Sequence, residues 1–295
     1  MDLEFRIPLG DWVDVALDWL LATFAGVFAF IRSVFLGAYD SLEWLLITPP
    51  SLVIIIVFAA IAYAAKGWKL ALGTAVGFLL IVGVNQWDHA MESFALVIVA
   101  TVVAIVISVP AGILAASSAT ASAIIRPILD FMQTMPAMVY LIPALVMFRV
   151  GVVPGIIATI IFSMAPGVRF TELGIRGVDK EVVEAGYAFG SSPGSILRKI
   201  QLPLAMPTIM AGINQVIMLA LSMVVIAGMV GAGGLGGEVV ASLNRIDAGL
   251  GFEAGLAVVI LAIFLDRVTA SVGKASRPGG RQRAGRPAKQ SLQNA

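Results

Sequence analysis

The chain has 295 residues, of which 59% are hydrophobic and 13% are charged, and its formal net charge is +1. Soluble domains carry about 25% charged residues, so this composition excludes an ordinary water-soluble fold. The absence of cysteine excludes disulfides, thiolate catalysis and cysteine-based metal sites. Because a lipid-embedded sheet edge is not tolerated, the long apolar runs predict an all-α integral membrane protein.

The N-terminal segment, residues 1–43, is predicted to be amphipathic. Within it, Trp19–Leu36 is apolar but carries Arg32, and the preceding aspartates at positions 11–18 share one helical face. A helix of this kind either lies in the membrane interface or spans the bilayer. Both alternatives stay open from the sequence.

The central part, residues 44–272, contains seven further apolar segments that we predict to span the membrane, whose hydrocarbon core is about 30 Å thick. They are Leu52–Ala65, Trp68–Val84, Phe94–Ala116, Ile128–Phe148, Val152–Phe170, Thr208–Val230 and Leu250–Asp266. When the seven are threaded alternately, Lys and Arg accumulate on one side, which the positive-inside rule makes cytoplasmic. Residues 273–295, rich in Gly, Pro, Arg, Gln and Ser, are predicted to form a disordered basic cytoplasmic tail.

A polar loop, Arg176–Pro207, separates two of these apolar segments. Asp179 and the acidic residues after it predict the start of a helix, and Gly190 predicts its end. Pro193 is suited to the first turn of a second short helix. The last two prolines of the loop are predicted to break the chain before the next span. We therefore expect a cytoplasmic helix–turn–helix that binds a soluble partner.

The polar loop contains the pattern E-A-G-x3-G-x9-I-Q-L-P. This pattern is similar to the E-A-A-x3-G-x9-I-x-L-P signature of permease subunits of ATP-binding-cassette (ABC) importers. The one departure is Gly186 in place of Ala, which keeps the residue small but costs about 1 kcal/mol in helix propensity. The resemblance assigns coupling to an ATPase to Glu184, Ala185, Gly186, Gly190, Ile200, Leu202 and Pro203.

Further segments resemble the glycine betaine/proline permeases, which import quaternary-ammonium osmoprotectants. They are P-L-G-D-W-V at 8–13, R-P-I-L-D-F-M-Q-T-M-P-A at 126–137, L-A-L-S-M-V-V-I-A at 219–227, G-A-G-G-L-G at 231–236 and G-F-E-A-G at 251–255. The resemblance implies a type I ABC importer transmembrane fold with seven or eight transmembrane helices and a cytoplasmic coupling helix.

The resemblance also implies partners and a function. It implies a homodimeric permease in the cell inner membrane that pairs with an ABC ATPase subunit and receives glycine betaine, proline betaine or a related osmolyte from an extracytoplasmic substrate-binding protein. Transport would proceed by alternating access. The sequence has no phosphate-binding G-x4-G-K-[S/T] loop, so we expect ATP and Mg on the partner, no cofactor on this chain and no enzymatic activity. Membrane lipid is an expected partner, and nucleic acid is not.

Two alternatives remain beside this function. The first keeps the ABC machinery but changes the cargo to choline, carnitine or an amino acid. The second is a secondary transporter that works without an ATPase. Candidates for the translocation path are polar, aromatic or soft side chains in apolar segments, because aromatic faces attract methylated ammonium groups. They are Phe131, Gln133, Tyr140, Asn214, Gln215 and Met218.

Three further features favour structural interpretations. The G-x-G-x-x-G match at 231–236 is interpreted as a flexible glycine turn at the end of a span, since a dinucleotide site needs a preceding strand. His89 is the single histidine and has no carboxylate cluster near it in sequence, so no metal site is expected. Arg126 and Asp130 are interpreted as an i,i+4 pair that stabilises a helix end. Gln133, Asn214 and Gln215 either line the passage or bond neighbouring helices.

Overall fold

The computed structural model describes residues 8–275, with side chains through Ser271, and every regular element in this part of the chain is a helix. The α-helices are α1 (Leu9–Ile47), α2 (Ser51–Lys66), α3 (Trp68–Gly83), α4 (Trp87–Ser117), α5 (Ala119–Thr134), α6 (Leu141–Phe148), α7 (Val152–Arg176), α8 (Lys180–Ala188), α9 (Pro193–Ile196), α10 (Leu202–Gly228), α11 (Gly234–Arg245) and α12 (Ala248–Ala275). A 3-10 turn, Ala137–Tyr140, precedes α6, and a π-helical turn, Leu197–Gln201, joins α9 to α10. The expected all-α fold is confirmed. The rest of the predicted tail at 273–295 lies outside the described residues.

The centre of the fold is a set of three helices in which α7 packs along both α4 and α10. A Cβ atom added to Gly112 of α4 would lie 2.5 Å from a side-chain carbon of α7. One added to Gly167 of α7 would lie 2.3 Å from a hydroxyl of α4, and one added to Gly212 of α10 would lie 2.5 Å from a phenylalanine side chain of α7. Glycine therefore sets the helix spacing, as it commonly does between membrane helices.

Two contacts define the two ends of this helix set. The Arg176 guanidinium donates to the Ala115 carbonyl at 2.7 Å, which places the carboxyl ends of α4 and α7 together beside the polar loop. We call this the loop end. The Gly151 amide donates to the Val230 carbonyl at 3.2 Å, which places the start of α7 beside the end of α10. We call this the opposite end.

Five helices among the described residues are long and apolar enough to cross a membrane, namely α1, α4, α7, the continuous helix Pro193–Gly228 and α12. α2 and α3 have 16 residues each and form a hairpin through Gly67, whose φ is +84°. Each of them is shorter than the roughly 20 residues that an untilted span needs. The predicted number of spans therefore stays a prediction.

The candidate span at Ile128–Phe148 is interrupted by a sharp bend. α5 ends at Thr134, and the helix that resumes at Ala137 is bent from it by 108°. Pro136 explains the break, because proline disfavours helical geometry in the residue before it and Met135 is extended, with φ −75° and ψ 136°. The two arms make either a broken span or a re-entrant segment.

The N-terminal candidate Trp19–Leu36 lies inside the 39-residue helix α1. Only Phe24 departs from helical backbone angles within it, with φ −113° and ψ 20°. α1 contacts α4, α6 and α7. The structure therefore assigns this segment to a long helix, and whether it spans stays open.

Gly236 provides a test of the close packing at the opposite end. A Cβ atom there would lie 2.1 Å from the Val224 carbonyl oxygen, which is backbone and has no flexible end to move. We expect Gly236→Ala to destabilise the protein by about 1–3 kcal/mol, measured as a lower thermal unfolding temperature in detergent. The matched control is Gly237→Ala, because a Cβ at Gly237 meets no atom within 4 Å. Equal effects of the two substitutions would contradict the packing.

Candidate functional site: the polar loop and its anchors

The first half of the polar loop is the helix α8, whose start follows from local chemistry. The Asp179 carboxylate accepts a hydrogen bond from the Glu181 amide at 3.0 Å and so caps the helix. Glu181 adds a negative charge in the first turn, where the helix dipole favours it. The predicted capped helix is confirmed.

Gly190 ends α8 in the manner that the sequence predicts. Its φ is +76°, in the left-handed region that favours glycine. The Gly190 amide donates to the Tyr187 carbonyl at 2.9 Å, and the Ser191 amide donates to the Gly186 carbonyl at 3.1 Å. These two bonds form a Schellman motif, which satisfies the last carbonyls of the helix and turns the chain back.

Gly186 is the point where the two arms of the polar loop touch. It is buried, and a Cβ atom there would lie 2.8 Å from Ile200 Cδ1 and 3.4 Å from Ile196 Cγ1. Ile196 is itself fully buried. Two predicted coupling residues, Gly186 and Ile200, are therefore brought together at the inner side of this bend, and a third, Gly190, lies in the exposed turn that follows α8. The contact with Ile200 involves only the flexible end of a side chain, so an alanine would fit after a small shift.

The prediction that Pro203 and Pro207 break the chain is wrong. Both lie in a continuous helical segment that runs from Pro193 to Gly228. Pro203 stands in the first turn of α10, directly after the π-helical turn Leu197–Gln201. The wider turn changes the hydrogen-bond register there, and a missing proline donor is tolerated at the start of a new register. The second arm of the polar loop thus passes directly into a central helix.

The outer side of the bend is exposed. Glu184 and Ala185 lie on the exposed face of α8, and the Phe189 side chain at the turn is 90% exposed. Leu202 is half-buried against the helix ends at the loop end, and Pro203 is exposed. An uncovered phenylalanine on a rigid turn is typical of a protein contact surface. Phe189 stands directly before the signature glycine, but no pattern in the sequence marked it as a contact residue.

A buried carboxylate anchors the base of the polar loop. Glu172 of α7 is 3% exposed and accepts hydrogen bonds from the Ser122 hydroxyl at 2.7 Å and from Arg126 Nη2 at 2.9 Å. Arg176 Nε lies 3.2 Å from the same carboxylate. Because Ser122 and Arg126 belong to α5, this network ties the broken segment to the last turn of α7, from which the polar loop leaves.

The interpretation of Arg126 and Asp130 as a pair with each other is wrong. Arg126 pairs with Glu172, and Asp130 pairs with Arg169 of α7. Both residues bond across to another helix, because α5 lies against the arginine-bearing end of α7. Sequence reasoning missed Glu172. The available signal was an acid four residues before Arg176 at the end of a mainly apolar segment, which by default indicates a bonded or functional group.

The translocation-path candidates lie in different surroundings. Phe131 and Gln133 are exposed on α5, and Tyr140 is buried, with its hydroxyl donating to the Met132 carbonyl. Asn214 bonds a neighbouring helix, since its amide donates to Asp266 Oδ1 at 3.1 Å and its carbonyl accepts from Thr269 at 2.9 Å. Gln215 is exposed, and Met218 packs beside the main core. Their place relative to a passage stays a prediction.

The glycine-rich segment 231–236 forms a turn between α10 and α11, as interpreted, but its packing is tight. The Gly234 amide donates to Glu92 Oε2 at 2.7 Å, and the Leu235 amide donates to the Ser93 hydroxyl at 2.8 Å. Two side chains of α4 therefore cap the first turn of α11. The turn follows a helix, so it lacks the strand that a dinucleotide site requires.

The structure places two carboxylates close to His89. His89 Nδ1 lies 3.6 Å from Glu92 Oε2, and Nε2 lies 3.5 Å from Glu238 Oε1. Glu238 comes from α11, far away in sequence, so no local pattern revealed it. Within the described residues, no group of three or more potential ligands is arranged to hold a metal ion.

The buried network gives a stability prediction. Replacing Glu172 by Gln removes the charge that two arginines and a serine surround, and we expect a loss of about 1.5–3 kcal/mol in unfolding free energy. Asp130→Asn is the control, since the Asp130–Arg169 pair is exposed and such pairs contribute about 0–1 kcal/mol. Thermal unfolding of the two variants in detergent measures the difference. A larger effect of Asp130→Asn would contradict the anchoring role of Glu172.

The Schellman turn gives a second prediction. Gly190→Ala forces a side chain into a left-handed conformation, so we expect α8 to be destabilised by about 1 kcal/mol. Gly194→Ala is the matched control, because a Cβ there meets no atom within 4 Å. Hydrogen exchange of the α8 amides reports the change, which should be faster in Gly190→Ala and unchanged in Gly194→Ala. Unaltered exchange in both variants would show that the turn does not hold α8.

The sequence of this chain is similar to a known protein family and to several characterised permeases. A family profile described as "Binding-protein-dependent transport system inner membrane component" matches residues 108–278, which include α5, the polar loop and all of α12. The chain is 48% identical to the glycine betaine transport system permease protein OpuAB of Bacillus subtilis, over 92% of this chain and 96% of that protein. It is 47% identical to the glycine betaine/proline betaine transport system permease protein ProW of Escherichia coli, over 94% of this chain and 78% of that protein.

A third relative and a solved structure are also similar to this chain. The chain is 48% identical to the glycine betaine/carnitine transport permease protein GbuB of Listeria monocytogenes, over 92% of this chain and 97% of that protein. Among solved structures, an inward-facing form of the MetNI methionine ABC transporter has a TM-score of 0.59 at 21% identity, covering 63% of this chain and 94% of the matched chain. The last similarity shows the fold, and it confirms the expected type I importer transmembrane fold.

Proposed function

Because the chain belongs to the family of binding-protein-dependent transport system inner membrane components, we propose that it is the permease subunit of an ABC importer that moves glycine betaine or proline betaine into the cell. The substrate assignment is supported by relatives that are 47–48% identical over more than nine-tenths of the chain and are named for glycine betaine transport. The name of GbuB also includes carnitine, which keeps that cargo as the alternative.

The structure of the polar loop is the main support for this function. Its signature residues form a bend with a packed inner side at Gly186 and an exposed aromatic at Phe189. The same bend continues into α10 without a break. An exposed, rigid bend that is continuous with a central helix suits a surface that a motor subunit holds and moves. We propose that an ATPase subunit binds Phe189 and the exposed face of α8.

The charge distribution supports an orientation. Arg126, Arg169 and Arg176 cluster at the loop end. Glu92 and Glu238 stand at the opposite end, beside the start of α4 and α11. By the positive-inside rule the loop end faces the cytoplasm, in a multi-pass protein of the inner membrane. The opposite end then faces the substrate-binding protein, which delivers the cargo.

A second copy of the chain completes the passage in this proposal. α5 and α6 expose Phe131, Ile128 and Ile142, each more than half exposed in the single chain. A homodimer would cover this apolar face and bring Gln133 and Gln215 of both copies toward a shared interface. Aromatic and soft side chains on such a path suit a methylated ammonium, whose charge is spread over a bulky head.

In this proposal the ATPase subunit carries out the chemical reaction. ATP and its Mg are bound and hydrolysed by the ATPase subunit, and this chain contributes movement only. ATP binding would bring the two polar loops of a homodimer together, and hydrolysis would let them separate. Since each loop is continuous with α10 and anchored to α7 and α5 through Glu172, the movement reaches the helices around the passage.

A transport assay tests the function. We expect the permease, reconstituted with its ATPase and binding protein, to accumulate labelled glycine betaine only when ATP is present inside the vesicles. Parallel assays with labelled choline, carnitine and proline determine the cargo. Equal uptake without ATP would instead support a secondary transporter and would contradict the proposal.

The coupling surface is tested by one substitution. Phe189→Ala removes the exposed aromatic, and truncation of an aromatic anchor commonly costs about 2 kcal/mol or more, so we expect ATPase binding to weaken by at least about tenfold. Ile263→Ala is the control, because Ile263 is an exposed apolar residue of α12 away from the polar loop. Affinity purification with the ATPase, followed by uptake, gives both readouts. Normal ATPase binding by Phe189→Ala would exclude this residue from the interface.

A further inference from the structure

A cavity of about 560 Å³ lies between α1 and α6, and the proposed transport function does not use it. We call it the α1–α6 groove. Its walls are mainly apolar, and two arginines line it. Phe28 of α1 and Phe148 of α6 form one side, edge to face, with ring centroids 5.7 Å apart. Leu21, Val146 and Met147 extend the apolar wall. Side chains of two helices that contact each other therefore form the walls of the groove.

Arg149 enters the groove from a strained position. Its backbone has φ +64° and ψ 171°, a region occupied almost only by glycine. Its amide donates to the Leu145 carbonyl at 2.8 Å and ends α6. A bulky residue is retained in such a conformation only where its surroundings or its role require it.

The groove carries positive charge with no counter-charge of its own. Arg32 and Arg149 both line it, and its lining among the described residues includes no Asp or Glu. Neither arginine lies within 4.0 Å of a carboxylate among the described side chains. Arginine beside apolar, membrane-facing surface is costly unless it has an anionic partner. A phosphate fits this role best, because a guanidinium binds it through two parallel hydrogen bonds.

The apolar part of the groove has the length of a lipid chain in one leaflet. Leu21, Ala25, Phe28 and Arg32 recur at helical spacing and share one face of α1. From Arg32 to Leu21 the path along α1 is about 17 Å, at 1.5 Å per residue, with a kink at Phe24. Half of a hydrocarbon core is about 15 Å thick. A headgroup at the arginines would therefore place its acyl chain along the apolar face.

We propose that the α1–α6 groove binds an anionic phospholipid, with its phosphate between Arg32 and Arg149 and an acyl chain along α1 toward Leu21. The lipid would fix α1 against α6 and supply the counter-charge that the groove lacks. This inference does not depend on the identity of the transported substrate or on the ATPase.

Lipid retention on the purified full-length chain tests the proposal. Native mass spectrometry, after incubation with equal amounts of phosphatidylglycerol and phosphatidylcholine, counts the lipids retained. We expect the wild-type chain to favour phosphatidylglycerol by about tenfold, and Arg32→Gln to reduce this preference to near one, because a charge-assisted phosphate contact is lost. Arg149→Gly should lose the preference as well. It should also fold normally, since glycine adopts the backbone conformation of residue 149 without strain.

The control is Arg245→Gln, which removes an exposed arginine from the end of α11, outside the groove. It should keep the full preference. Equal retention of the two lipids by the wild type, or an equal loss in Arg245→Gln, would overturn the proposal.

Two further outcomes identify other occupants, and both would also overturn it. Displacement of phosphatidylglycerol by millimolar inorganic phosphate would indicate a site for free phosphate. Protection of a cysteine placed at Ala29 from maleimide in lipid-free detergent would show that a second copy covers the groove.

Discussion

The close approach of α4, α7 and α10 is the constraint on which the rest of the fold depends. Lipid gives little hydrophobic drive for helices to associate, so packing contacts must hold them. At Gly112, Gly167 and Gly212 an added Cβ would come within 2.5 Å or less of an atom of the neighbouring helix. Such contacts fix the spacing and rotation of all three helices. The broken segment α5–α6, the polar loop and α11 are attached to this set at its ends.

The attachments at the two ends use different chemistry. At the loop end, the buried Glu172 carboxylate joins α5 and α7 through Ser122, Arg126 and Arg176. At the opposite end, Glu92 and Ser93 of α4 cap the first turn of α11 through backbone amides. Both are polar contacts between segments far apart in sequence. They hold the peripheral segments where apolar packing alone gives little directional preference.

Local signals in the sequence predicted the local parts of the structure. Asp179, Gly190 and Pro193 carry their own capping and backbone preferences, so the two arms of the polar loop were predictable. Contacts between distant segments were not. Nothing near Glu172 in sequence shows that Ser122 lies against it, and nothing near His89 points to Glu238. The uninterrupted helix through Pro203 was missed for a related reason, because the neighbouring π-helical turn changes what a proline does there.

The unbroken helical segment Pro193–Gly228 has a mechanical consequence. Its 36 residues span about 54 Å, at 1.5 Å per residue. One end lies in the polar loop, and the other lies beside the glycine-rich turn at the far end of the protein. Such a rod acts as a lever: a tilt of about 5° about its loop end would swing its far end by roughly 5 Å, the pitch of one helical turn. A small angular change at the loop end would thus be enough to open or close a gap for a small solute at the opposite end.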